Sequence, residues 1–262
     1  MFRAMVILIA VLGLVLGGTG VQAETCNFNV SSGNWTDGGN RSCGHEPTNA
    51  DLAVIQSGNT CAMDDAAGEA DSLTVESTAT LNIQASKKLT LRSSTTNSTI
   101  TGTVNLQGSA SELAFIDNDQ TIDGAGKIVG QHNAAKITVT SGETLTSETT
   151  IEGKLKITDA TNTGAFRNHG TVHANAAGTL EISTNTISDN AGADWRLSGS
   201  ASATLLLNQT YTVVPTLFGE FTLSDNGTLD VDSVGFWTKG SLYWSGGTMD
   251  LAANAQIRFG VD

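Results

Sequence analysis

Cationic side chains are scarce in this chain: 13 Lys and Arg stand against 26 Asp and Glu, a formal net charge of −13. A nucleic-acid-binding surface needs a basic footprint, so nucleic acid is excluded as a partner, and the acidity reads as solubility after export. Aromatic residues make up 5% and there are 2 prolines against 29 glycines. With abundant Thr, Ser, Asn and Ala, this composition is unlike that of an ordinary globular enzyme. Apolar runs are short. Met5 to Leu16, broken only by Gly13, falls below the roughly 20 residues of a membrane-spanning helix, and no segment of the mature chain is expected to span a bilayer. A 3.6-residue period is missing beyond it, which removes helices from the expected architecture.

What is present starts with the N-terminus. Met1, Phe2 and Arg3 give a short positive start, the apolar run follows, and Val21-Gln22-Ala23 ends in small residues. Residues 1–23 therefore read as a secretory signal peptide cut before Glu24, which predicts a secreted or cell-surface protein. Three cysteines, Cys26, Cys43 and Cys61, all follow shortly after. Export permits a disulfide, and the odd count leaves one thiol over. Cys26 with Cys43 is the favoured pair because it staples a Gly- and Asn-rich segment with little other apolar content; the sequence does not choose among the three pairings. Residues 24–70 are expected to form an N-terminal cap and first strands, and residues 71–262 the body.

From residue 73 the apolar residues come in pairs separated by one position: Leu73 and Val75, Leu81 and Ile83, Leu89 and Leu91, at intervals of eight. The pattern continues through Val104 and Leu106, Leu113 and Phe115, Leu180 and Ile182, as far as Ile257 and Phe259. Each pair reads as a short strand with two inward side chains. A slower rhythm is marked by GTVNL at Gly102, GKIVG at Gly126, GKLKI at Gly153, GTLEI at Gly178, GTLDV at Gly227 and GTMDL at Gly247. Intervals mostly in the twenties predict three strands and three turns per coil, an all-β solenoid. With ~24 residues per coil and ~4.8 Å between strands, residues 73–259 give ~8 coils and a rod ~40 Å long. Jelly rolls and sandwiches are the alternative, since they too use many short strands.

Segments such as FRNHGTVHANAAGTLEI, DNDQTIDGAGKIVG and SDNGTLDVDS resemble the N-x-G-T-[VIL]-x-A and T-I-x-G-x-G-x-I phrases of bacterial secreted β-helix proteins, among them autotransporter passengers and filamentous-adhesin-like chains. The stretch from Cys26 to Asp65 resembles the cap that opens many of them, at Trp35, Pro47, Asp51, Val54, Ile55 and Gly58. The resemblance implies a right-handed parallel β-helix with a capped N-terminus, exposure at the cell surface and adhesion, with host or environmental glycans or cell-surface proteins as partners. Such proteins usually continue into more coils, so the chain is expected to be a fragment truncated at its C-terminus.

No complete catalytic set accompanies that framework, so a structural or adhesive module without catalysis and without a cofactor is expected, with a carbohydrate-active β-helix, lyase or hydrolase, as the alternative. Asp64-Asp65 and Asn168-His169-Gly170 echo parts of a pectin-hydrolase pattern that is otherwise missing. His169 and His173 are spaced as in helical zinc sites, but on a strand four residues span ~13 Å while zinc needs each nitrogen at ~2.1 Å; they are expected to face solvent, with Asn168 inward. Gly124, Gly126 and Gly130 miss the dinucleotide fingerprint by one residue and by the absence of a helix. Asp117, Asp119 and Asp123 resemble a calcium loop, but Ile122 stands where such a loop needs Gly. His45-Glu46 reads as a cap turn. Trp195 and Trp244 are expected in the core, Tyr243 outside. Thr-x-Thr pairs such as Thr99 and Thr101 do not recur at a constant interval, which argues against ice binding. The Asn-x-Ser/Thr sites, Asn29 and Asn34 among them, would accept glycans only in a eukaryotic secretory route.

Overall fold

Alternation of period two puts both members of each aliphatic pair on one side of a strand, and in the computed structural model those sides converge on a single core. The structure describes residues 23–93, 97–140, 142–159, 161, 163–190, 192–198, 203–208, 216–217, 219–223, 228–231, 235–238, 241–251 and 256–259. The expected leader lies outside these residues except for Ala23. Leu73 and Val75, Leu81 and Ile83, and Leu89 and Leu91 fall on three successive strands, Ser72–Val75, Thr80–Ile83 and Lys88–Leu91, and all six side chains are buried. One coil later the chain returns above each strand, parallel to it and in register: Val75 meets Ile100, Leu81 meets Val104 and Leu89 meets Leu113. The fold is a parallel β-helix of about 8 turns, the class the spacing predicts.

Three faces run along the rod. The first is an 8-stranded sheet from Thr25–Phe28 to Thr186–Asp189, followed by a 3-stranded sheet made of Thr216–Leu217, Gly235–Thr238 and Gln256–Phe259. The second and third faces belong to one 17-stranded sheet. They are joined because two strands, Lys127–Val139 and Thr150–Asp159, run continuously across the corner between them. This departs from the short strands expected throughout. Within the first of these strands the register jumps from Gln131↔Lys154 to Lys136↔Lys156, so His132 to Ala135 form a bulge. Asn133 Oδ1 accepts the Thr179 N–H at 3.2 Å two coils away, and a side chain at Gly178, φ 130°, would strike that amide. The glycine of GTLEI is fixed by this close approach.

The core is a set of stacked columns, such as Leu81, Val104, Ile128, Ile151, Val172, Trp195 and Phe221 on the second face. Trp195 stacks on Phe221 with ring centroids 5.6 Å apart. Asn168 points inward, as its parity predicts, and lies between Ser147 and Asp189 in register. Its Nδ2 donates to Asp194 O at 3.3 Å and its Oδ1 accepts from Gly170 N at 3.1 Å, which satisfies the buried amide locally.

The N-terminal end is closed by a cap. The disulfide joins Cys26 and Cys43, 17 residues apart, and Cys61 remains a buried free thiol. Trp35, Pro47 and Asp51 are all buried. Asp51 accepts from Glu24 N–H, Thr48 N–H and Thr48 Oγ1 at 3.0, 2.8 and 2.7 Å, tying the cap loop to the first strand. Burial pushes this carboxyl up, but the Thr48 and Glu24 donors outweigh burial and hold it below the usual range.

At the other end one expectation fails. Trp244 stands at the inward position above Leu223, and Leu251 above Val231, yet they are 56% and 39% exposed. Parity alone does not bury a side chain: among the described residues no strand pairs on the far side of Leu242–Trp244 or Thr248–Leu251. Tyr243 is exposed, as expected. Among the described residues, no helix is long and apolar enough to cross a membrane.

Candidate functional site

Side chains that could carry chemistry gather in three places: the cap, the middle of the second face, and a groove at the corner between the first and second faces. In the cap, Arg41 is buried with its guanidinium 4.7 Å from the Trp35 ring and 5.6 Å from the Phe28 ring. It donates to the Trp35 carbonyl, and its Nη2 lies 4.0 Å from Cys61 Sγ. Burial lowers its affinity for its proton, partly offset by Cys61, Glu46, Asp64 and Asp37. The Cys61 thiol is pushed up to about 12 by burial, which disfavours the thiolate form that a nucleophile needs at neutral pH.

The acids that stood out in the sequence as separate pairs meet in this cap. Asp64 receives Thr36 N–H and Thr36 Oγ1 at 3.2 and 2.9 Å, which makes it a structural clasp. Asp65 and Glu46 instead meet side chain to side chain in a shallow groove lined also by Pro47, Thr48 and Glu69. Burial raises the Glu46 carboxyl, with the charge of Asp65 adding to it. His45 turns away: its Nδ1 contacts Glu46 O at 2.8 Å. Cys26, Cys43 and His45 come within reach of one another, but their two sulfurs are bonded together.

Along the second face, His173 follows Glu152 and precedes Arg196 in one outward column. His173 Nε2 lies 2.8 Å from Ser198 Oγ. Burial lowers this imidazole, against the pull of Glu152, so it is neutral at pH 7. A hydroxyl beside a neutral imidazole is half of a nucleophile–base arrangement. The other half is not assembled: the Ser198 N–H is committed to Ala174 O, and the Glu152 oxygens are held by Lys127 at 2.8 Å and Asn175 at 3.2 Å. His169 lies apart, its Nδ1 3.9 Å from Glu148. The two histidines engage different partners, as the strand spacing predicts.

The aspartates that resemble a calcium loop are also separated by their partners. Asp117 pairs with Arg92 at 2.6 Å, Asp119 accepts Thr144 N–H at 2.6 Å, and Asp123 accepts from Asn97 at 3.4 Å.

The corner groove was invisible in the sequence. It spans four coils, has a volume of about 400 Å³, and is lined by Thr78, Thr80, Thr101, Thr103, Lys127, Thr150 and Glu152 over a floor of small residues. Thr80, Thr103, Lys127 and Thr150 stand directly above one another in register. A side chain at Gly102 would strike the Glu76 carbonyl oxygen, and one at Gly126 the Gly102 carbonyl oxygen, so the corner stays narrow only with glycine there. The signal that could have found this column is the residue after each coil-marking glycine: Thr103 follows Gly102 and Lys127 follows Gly126. The same rule picks out Thr179, Thr228 and Thr248 on the third face, where Thr204, which follows Ala203, completes a second column in register. The spacing of Thr-x-Thr pairs along a strand does not show this alignment, which runs across coils.

Comparison with protein-family models, with curated proteins and with solved structures finds no match to this chain.

Proposed function

We propose that this chain is a secreted or cell-surface β-helix module with a structural and adhesive role, without catalytic activity, of the kind found in autotransporter passengers and filamentous adhesins. The observation that carries this reading is the state of the carboxylates along the coils. Glycoside cleavage needs an acid held protonated near neutral pH beside a second carboxylate. On the coils, Glu112 and Asp159 are both displaced downward: hydrogen bonds from Lys136, and from the Gly164, Thr161 and Thr163 N–H groups, outweigh the burial that pushes them up. Lys127–Glu152, Lys156–Glu181 and Arg92 with Glu69 and Asp117 stitch neighbouring coils in the same manner. Charges spent in this way support a rigid rod that displays its faces.

The test is a panel of glycans and polysaccharides presented to the chain from Glu24 onward, scored for retention and for released reducing or unsaturated ends. Retention without product is expected; product formation overturns the reading.

A carbohydrate-active β-helix is the second reading, favoured by the raised Glu46 carboxyl opposite Asp65. Under it, product release would disappear in both Glu46→Gln and Asp65→Asn.

A further inference from the structure

Beneath the Thr80–Thr103–Thr150 groove the ladders close through backbone groups, which leaves its threonine side chains outside the coil-to-coil bonding, and its Lys127–Glu152 pair, besides joining two coils, sets one cation and one anion in the lining. We propose that this groove is the ligand site of the module and that it takes a neutral, linear polysaccharide, not an anionic or an apolar ligand. The proposal rests on the adhesive reading above and assigns its site and ligand class.

Three features select that chemistry. The lining carries one cation and one anion, 2.8 Å apart, so its net charge is zero, while the whole chain stands at −13. A polyanion entering would meet no uncompensated cation and an unfavourable long-range field. The remaining lining is hydroxyl, glycine and alanine, with no aromatic or long aliphatic side chain to receive an apolar ligand.

Glu152 and Lys127 complement a vicinal diol. A sugar hydroxyl is both donor and acceptor, so of two neighbouring hydroxyls one can donate to the carboxylate and the other can accept from the ammonium. Asn175 fixes the far oxygen of Glu152 at 3.2 Å, and the Glu152 side chain is only 16% exposed, so its orientation is set before a ligand arrives. Thr80, Thr103 and Thr150 place hydroxyls in the same column on three of four successive coils, with Lys127 on the fourth, at about 4.8 Å per coil. β-Branched side chains on a strand have few rotamers to lose, and the column therefore presents hydroxyls in a fixed line parallel to the rod. A chain lying along the rod would meet one hydrogen-bonding group per coil.

The experiment is affinity electrophoresis of the folded chain through neutral glucans, mannans and galactans and, separately, through polyuronates. Thr80→Val/Thr103→Val removes two groove hydroxyls and keeps β-branched residues on both strands. Lys127→Met/Glu152→Gln removes the ion pair without leaving one charge alone. Thr179→Val/Thr204→Val makes the same chemical change on the third face, away from the groove. Thermal unfolding of each variant establishes that it is folded.

Retardation by a neutral polysaccharide is expected, weakened about tenfold in either groove variant and unchanged in the third-face variant. Equal retardation in the groove variants and the parent overturns the site while leaving adhesion standing. Retardation by polyuronates alone overturns the ligand class. Retardation by nothing overturns this site and removes glycan binding from the adhesive reading as well.

Discussion

Lys136 Nζ lies 2.9 Å from Glu112 Oε2 on the coil before it, and Lys88 Nζ approaches the other carboxylate oxygen at 3.4 Å from the opposite side. Three coils are thus clasped through one nearly buried acid. Burial pushes the Glu112 carboxyl up, but the Lys136 bond and the Lys88 charge prevail and hold it below its ordinary value. Its contribution is present above the unfolded-state value of about 4.3 and fades as pH falls through the lower folded value. Glu112→Gln should cost about 2 kcal/mol at pH 7 and close to nothing in strong acid. Urea unfolding at both pH values measures this.

Glu46 predicts the opposite slope. Its carboxyl is raised by burial and by Asp65, against the nearby Arg41 and together with Asp64, while Glu69 lines the same groove. A raised folded value means that the proton stabilises the fold: the contribution is full below the ordinary carboxylate value and is lost as pH rises through the folded one. The cap should tighten in mild acid, and Glu46→Gln should remove that pH dependence. Hydrogen exchange of residues 36–50 between pH 4 and pH 7 reads it out, and identical protection at the two pH values would refute it.

Closure of the N-terminal end depends on Trp35 and on the disulfide. Trp35→Ala should cost about 3–5 kcal/mol, the range for a fully buried large aromatic, and Cys43→Ser about 3 kcal/mol through the 17-residue loop it releases. Because the strand ladders join each coil to its neighbours, the loss should begin at this end and propagate. Proteolysis followed by mass spectrometry would show cleavage near residues 24–70 before cleavage in the body.

Cys61 should resist modification. Its thiol is buried and pushed up to about 12, so a native chain should show no reaction with a thiol-specific reagent near pH 8 and one equivalent after unfolding without reductant. Two or more equivalents would contradict the Cys26–Cys43 bond.

Much of the fold was legible in residues such as Leu81 and Ile83, because inward and outward positions on a strand follow from a local period of two. Parity set His173 outside and Asn168 inside before any contact was known. It failed at Trp244, where burial depends on what packs over the position. The candidate sites were less legible. Glu46 and Asp65 are 19 positions apart and Lys127 and Glu152 are 25 apart, and nothing local announces either pair.

By itself, then, the sequence determined an all-β coil of about 24 residues, its repeated aliphatic columns, and an N-terminal segment rich in cysteine and glycine, since backbone alternation and turn chemistry act between near neighbours. Only the tertiary structure decided which rungs meet. Corner loops of unequal length, and the bulge at His132 to Ala135, shift the register from coil to coil. That register is what sets Lys127 against Glu152 and aligns Thr80 with Thr103 and Thr150.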